Sequence, residues 1–143
     1  ITTDDLDHIG GWFTFPQARQ HYYAASTYAF LPDDAALAEQ EATTAIDLYD
    51  PADTTAWSFV DEAGAHAELA TARIYQGELD GAQEALAPVL DLSPDRRTWN
   101  LIESATRIHR LLRIPQYLAS PTTHTLQDQI EEFCQLPPAA LPH

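Results

Sequence analysis

Twenty-two carboxylates, seven arginines, six histidines and a single cysteine are the groups of this chain able to do chemistry. Their spacing decides which chemistry. A zinc-protease helix needs two histidines flanking a glutamate at one-turn spacing, whereas His8, His21, His66, His109, His124 and His143 lie far apart, so no metal site is expected. Cys134 could act as a nucleophile with His124 or His109 as base, but it falls in a repeating apolar stripe and reads as a small core residue. Glu131-Glu132 and Asp33-Asp34 could be taken for acid–base pairs. Neighbours on a helix point about 100° apart, so these read as solvated surface and as a charge cap at a helix N-terminus. A phosphate-cradling loop is not expected either, because Gly10-Gly11 is the only adjacent glycine pair and the chain has no Lys. No catalytic template fits. The chain is expected to be neither an enzyme nor a cofactor protein.

Recognition chemistry is better represented. Between positions 55 and 76, Glu62, His66, Leu69 and Arg73 share one helical flank, between the packing face of Ala63, Ala67 and Ala70 and an outer acidic face of Asp61 and Glu68. Glu62 and His66 are one turn apart and can pair, with Arg73 bonding a helix terminus, or the three can face a ligand. Between positions 94 and 113 lie five of the seven arginines: Arg96, Arg97, Arg107, Arg110 and Arg113. Helical projection puts Arg96, Asn100, Glu103, Arg107 and Arg110 opposite Leu101, Ala105, Ile108 and Leu112. That basic stripe either compensates nearby carboxylates or grips the carboxylate of a peptide or small acid through forked hydrogen bonds. Nearer the start, Tyr22, Tyr23, Tyr28 and Phe30 exceed what one buried stripe requires. Some fill the core beside Trp12 and Phe13; Gln20, His21, Tyr23 and Thr27 are the candidates to face a groove.

Helices must position these groups, because Ala, Leu, Glu, Gln and Arg fill long stretches while Gly and Pro fall between them. Six are expected: Pro16 to Leu31, stopped by Pro32; Asp33 or Asp34 to Tyr49; Thr55 to Gln76, closed by Gly77; Asp80 to Leu92; Ser93-Pro94 to Arg113; and Ser120-Pro121 to Gln135. Pro88 should remove one hydrogen bond inside the fourth. Residues 1–15 read as an N-terminal arm, 16–136 as one helical domain and 137–143 as a frayed tail.

The formal net charge of −15 repels phosphate backbones and anionic lipid surfaces alike. This segment is therefore expected to bind no nucleic acid by itself and no membrane, and no apolar run is long enough to span a bilayer. A lone cysteine agrees with the reducing cytoplasm, which is the expected compartment. Because the chain starts at Ile1 and not at Met, it reads as a segment of a longer one.

The second, fourth and sixth helices align at an offset of 44 residues. Ala38, Ala82 and Leu126 correspond, as do Ala42, Leu86 and Ile130, then Ala45, Val89 and Phe133, then Ile46, Leu90 and Cys134. A local order of Leu69-Ala70, Gly77, Leu79, Ala82, Leu86, Val89-Leu90, Leu92 and Pro94 resembles the tetratricopeptide repeat. The resemblance implies an all-α, right-handed superhelix of three antiparallel helix hairpins. Helix pairs with alanine at their crossing cannot bury their faces alone and must stack. The chain departs from the family in its longer repeat, against about 34 residues, and in Arg73, where the family usually has an aromatic residue.

Phe13-Thr14-Phe15-Pro16, Gln20-His21-Tyr22-Tyr23-Ala24, Gly77-Glu78-Leu79-Asp80-Gly81-Ala82, Pro88-Val89-Leu90-Asp91-Leu92 and Ser93-Pro94-Asp95-Arg96-Arg97 extend the likeness. Together they resemble the C-terminal helical-repeat region of actinobacterial Xre-family regulators, from residue 6 to about 134. That resemblance implies a helix-turn-helix DNA-binding domain upstream and a regulatory role for this region, which would sense a ligand or mediate assembly. Its groove, lined by the first helix of each pair, would take a peptide, a small ligand or a protein partner; a homodimer is implied by analogy alone. The competing expectation is a scaffold with no transcriptional role that uses the same groove.

Overall fold

The computed structural model describes residues 17–29, 31–49 and 56–135. The expected arm and tail, with Trp12, Phe13 and Pro16, lie outside them, as does Phe30. Six α-helices follow one another: α1 (Gln17–Ala29), α2 (Ala35–Leu48), α3 (Ala56–Tyr75), α4 (Leu79–Leu90), α5 (Trp99–Leu111) and α6 (Pro121–Gln135), with no strand among the described residues. Consecutive helices pair as hairpins α1–α2, α3–α4 and α5–α6. The first helices also pack in succession, α1 on α3 and α3 on α5, while α4 packs on α6 and α2 on α3. Among the described residues, neither helix of the first hairpin packs extensively on the third.

The 44-residue stripe forms the buried face of the second helices. Ala38, Ala42 and Ala45 of α2, Ala82, Leu86 and Val89 of α4, and Leu126, Ile130 and Phe133 of α6 are all at most 2% exposed. The fourth row, Ile46, Leu90 and Cys134, is half-buried in every copy. Cys134 thus packs against the core without being sealed in it, its sulfur 3.7 Å from the Thr106 hydroxyl.

Helix α3 is the axis of the assembly, and its alanines explain why. Ala63, Ala67 and Ala70 join the large core under α4 and α5; Ala65 packs with Ala18, Ala45 and Tyr49; Ala72 packs with Ala29 and Ala38. A helix with alanine on several sides lets four neighbours approach it closely. Gly64 marks a close approach: a Cβ there would lie 2.6 Å from Cζ of Tyr22, so a side chain at this position would displace the end of that ring. Gly77 ends α3 with φ +81°, a conformation suited to glycine, and the Glu78 amide donates back to the Arg73 carbonyl at 2.8 Å. Tyr117, in the connection between α5 and α6, donates its hydroxyl to the Ile74 carbonyl at 2.5 Å and fastens the last hairpin to the end of α3.

Local signals placed most helix ends within a residue or two, and two need correcting. Asp80 lies in the first turn of α4, which begins at Leu79. The Ser93-Pro94 signature opens only a 3-10 turn, Pro94–Arg96; the backbone then extends through Thr98, whose hydroxyl accepts the Leu101 amide at the true start of α5. The interruption turns Arg97 inward. It is 8% exposed, donates from Nε to the Leu92 carbonyl at 2.8 Å and from Nη1 to the Phe133 carbonyl at 3.3 Å, and lies 4.6 Å from the Phe133 ring. A guanidinium joining carbonyls at the C-terminal ends of α4 and α6 is held where helix dipoles favour positive charge. Pro88 is on the exposed side of α4, where water can reach the carbonyl it leaves unpaired.

Candidate functional site

Since α1 and α5 both pack on α3, the space between them is a cleft with α3 as its floor. Its volume is about 540 Å³. Tyr22 and Ser26 of α1 line one wall; Trp99, Asn100, Glu103, Arg107 and Arg110 of α5 line the other, with Glu68 below. The amphipathic pattern of α5 sets that wall: Leu101, Ala105, Ile108 and Leu112 are buried, so the turns carrying Asn100, Glu103, Arg107 and Arg110 face outward.

The floor reverses one expectation. Asp61 and Glu68 were read as an outer acidic face, yet they are 8% and 5% exposed. Two turns apart on α3, each is matched by an arginine from a flanking helix: Arg19 of α1 donates to Asp61 at 2.7 Å and Arg107 of α5 to Glu68 at 3.1 Å. Those partners lie 42 and 39 residues away in sequence, beyond any local pattern. Burial pushes the Glu68 carboxyl above its ordinary range, and Arg107 opposes that shift. Burial, with the Glu68 and Asp61 carboxylates nearby, pushes the Tyr22 hydroxyl up to about 12, so it stays protonated as a donor.

Of the candidates for a binding groove, the cleft gathers Asn100, Arg107 and Arg110, together with Glu103 of the same stripe, and the other candidates lie elsewhere. On α1, Gln20 and Tyr23 are exposed, Thr27 donates to the Tyr23 carbonyl at 3.0 Å, and His21 pairs with Glu41 of α2. Tyr22 is the ring that faces the cleft, and one residue's rotation of about 100° turns Tyr23 away. On α3, His66 is absent from the cleft and its Nδ1 is enclosed without a hydrogen-bond partner among the described residues. Burial lowers its pKa, and the nearby Glu62 carboxylate partly offsets this. Arg73 points the opposite way from the cleft, donating from Nε to Glu39 of α2 and from Nη1 to the Gly81 carbonyl of α4, each at 2.9 Å. It borders a second, shallower depression with Glu78, Asp80 and Glu84, from which Glu62 and His66 are absent. Sequence reasoning missed Tyr22, Ser26 and Glu68. A signal for Glu68 was available in its register with Asp61 and Gly64, which repeats every third or fourth residue along the face that meets α1.

Among the described residues, no three His, Cys, Asp or Glu side chains lie close enough to hold a metal, and no helix is long and apolar enough to cross a membrane. The cleft can offer paired and exposed guanidinium groups, a protonated phenol, an amide and hydroxyls, which together suit an oxyanion among hydrogen-bonding neighbours. Compared with protein-family models, curated proteins and solved structures, the chain matches none.

Proposed function

We propose that this chain is a non-catalytic, tetratricopeptide-like interaction module whose cleft between α1, α3 and α5 receives a carboxylate-bearing peptide or small acidic ligand. The observation that carries the reading is the lining: the first helix of every hairpin contributes to one cleft, and Arg107 and Arg110 stand together on its wall. The succession α1–α3–α5, with α4 on α6, supports a superhelical stack in which each hairpin rests on its neighbour. Within a longer regulator the module would act by shifting populations between bound and unbound states, with DNA contacted by a separate domain; the acidic charge of this segment supports that division.

The test is a binding screen of acetylated peptides with free C-terminal carboxylates. Trp99 at the cleft wall would serve as the fluorescent reporter after Trp12→Phe and Trp57→Phe. Replacing Arg107 and Arg110 together by Gln is expected to abolish binding while circular dichroism stays unchanged. Binding that survives the double replacement would remove the cleft from consideration.

A further inference from the structure

Glu68, the acid of the ion pair at the floor of the cleft, leaves one of its two oxygens without a donor among the described residues. One contact joins it, Arg107 Nη2 to Glu68 Oε1 at 3.1 Å, and Glu68 Oε2 is enclosed with no hydrogen-bond partner among the described residues. The two side chains are unequally accessible: Glu68 is 6% exposed, Arg107 27%. Arg107 can therefore be approached from the cleft, whereas Glu68 is fixed beneath it.

We propose that Glu68–Arg107 is an exchange site, in which an oxyanion entering the cleft takes Arg107 from Glu68 and Glu68 takes up a proton from solvent. This rests on reading the cleft as the binding site. The charges balance: a carboxylate and a guanidinium become a neutral carboxylic acid and a guanidinium paired with the ligand's oxyanion. No bond within the ligand changes. Proton uptake is favoured because the alternative is an ionised carboxylate left in a nearly dry site without its counter-ion.

The surroundings of Glu68 leave no substitute for Arg107. On α1, Tyr22 presents a neutral hydroxyl and Ser26 another. On α5, Glu103 and Arg110 line the same cleft farther along the helix. On α3 itself the nearest acid in register, Asp61, is engaged by Arg19. Neither α2 nor α4 brings a charged group to the cleft among the described residues. Burial already holds the Glu68 carboxyl high and Arg107 is what lowers it, so withdrawing Arg107 raises it further.

One linked proton makes affinity climb as pH falls, by up to about tenfold per pH unit between the Glu68 pKa of the free and of the bound protein. Sulfate, which does not itself titrate in this range, and an acetylated tripeptide pool with free C-terminal carboxylates are the probes. Calorimetric titrations in two buffers of different ionisation enthalpy, from about pH 5 to about pH 8, count protons taken up per bound anion. Uptake approaching one is expected for the native chain. Glu68→Gln should bind both probes with no proton uptake and no pH slope. Carbon-13 detection of the Glu68 carboxyl in the native chain, which needs no variant, should show its titration midpoint moving up on adding sulfate. Binding without proton uptake, or uptake that persists in Glu68→Gln, would overturn the exchange and leave the cleft as a simple anion site. If the native chain binds neither probe, the functional reading of the cleft falls and the exchange with it.

Discussion

Among the described residues, helix α3 takes part in three arginine–carboxylate pairs, and two of them, Arg73–Glu39 and Arg107–Glu68, are built differently. On the side of the second helices, Glu39 receives Arg73 Nε on one oxygen and Gln76 Nε2 on the other, both at 2.9 Å. The hydrogen bond from Arg73 is the main reason its carboxyl lies below the usual range, against the opposing effect of burial. Arg73 also holds the Gly81 carbonyl, so this pair fastens α2, α3 and α4 together. On the cleft side, Glu68 is more deeply buried, has one oxygen served instead of two, and is shifted upward. A saturated carboxylate near water is a fastener. An unsaturated one beneath a cleft is held by a single removable partner, which is what a responsive site requires.

The sharpest way to break this comparison is to remove the arginine on the cleft side. Arg107→Ala should cost about 3 kcal/mol at neutral pH, the scale of stranding a buried charge. Since the folded-state pKa of Glu68 then lies above its unfolded value, the penalty is full above the folded pKa, shrinks as pH falls below it, and is gone below the unfolded value. Urea unfolding of variant and native chain at neutral and mildly acidic pH checks this; an equal deficit at both would show that Glu68 is not the cause. Next in size is Gly64→Ala, whose new methyl would overlap the end of the Tyr22 ring and force that side chain to shift at a cost of about 1 kcal/mol, read as a lowered midpoint of thermal unfolding. The smallest change belongs to the fastener. Glu39→Gln should cost about 0.5 kcal/mol at neutral pH, because the pair is partly solvated. The folded-state pKa of Glu39 is depressed, so its stabilisation is present above the unfolded value and lost as pH falls through the folded one. The difference between Glu39→Gln and the native chain should therefore vanish in acid, and denaturant midpoints across pH would show whether it does.

What was legible in the sequence follows the range of the forces involved. The buried rows at 38, 82 and 126 and their successors were readable because helical periodicity is local, and Gly77 was readable because its conformation disfavours a side chain. The orientation of α3 was not. Charged Asp61 and Glu68 suggest a solvated face until Arg19 and Arg107 arrive from helices about forty residues away. The same blindness hid Arg97, which looked like one of a basic run and is a buried tie between two helix ends. On α5, outward-facing Asn100, Arg107 and Arg110 were identifiable from the strong apolar face opposite them, whereas on α1 the choice between Tyr22 and Tyr23 turned on a glycine in another helix.

The hydroxyl of Tyr117 meets a carbonyl 43 residues earlier in the chain. The connector between the last two helices is thereby tied to the end of the central rod, so the seat of the third hairpin depends on a contact made outside its own two helices. Without this phenol the Ile74 carbonyl would still hold the Gly77 amide, so the loss would loosen the connector and leave the end of the rod capped.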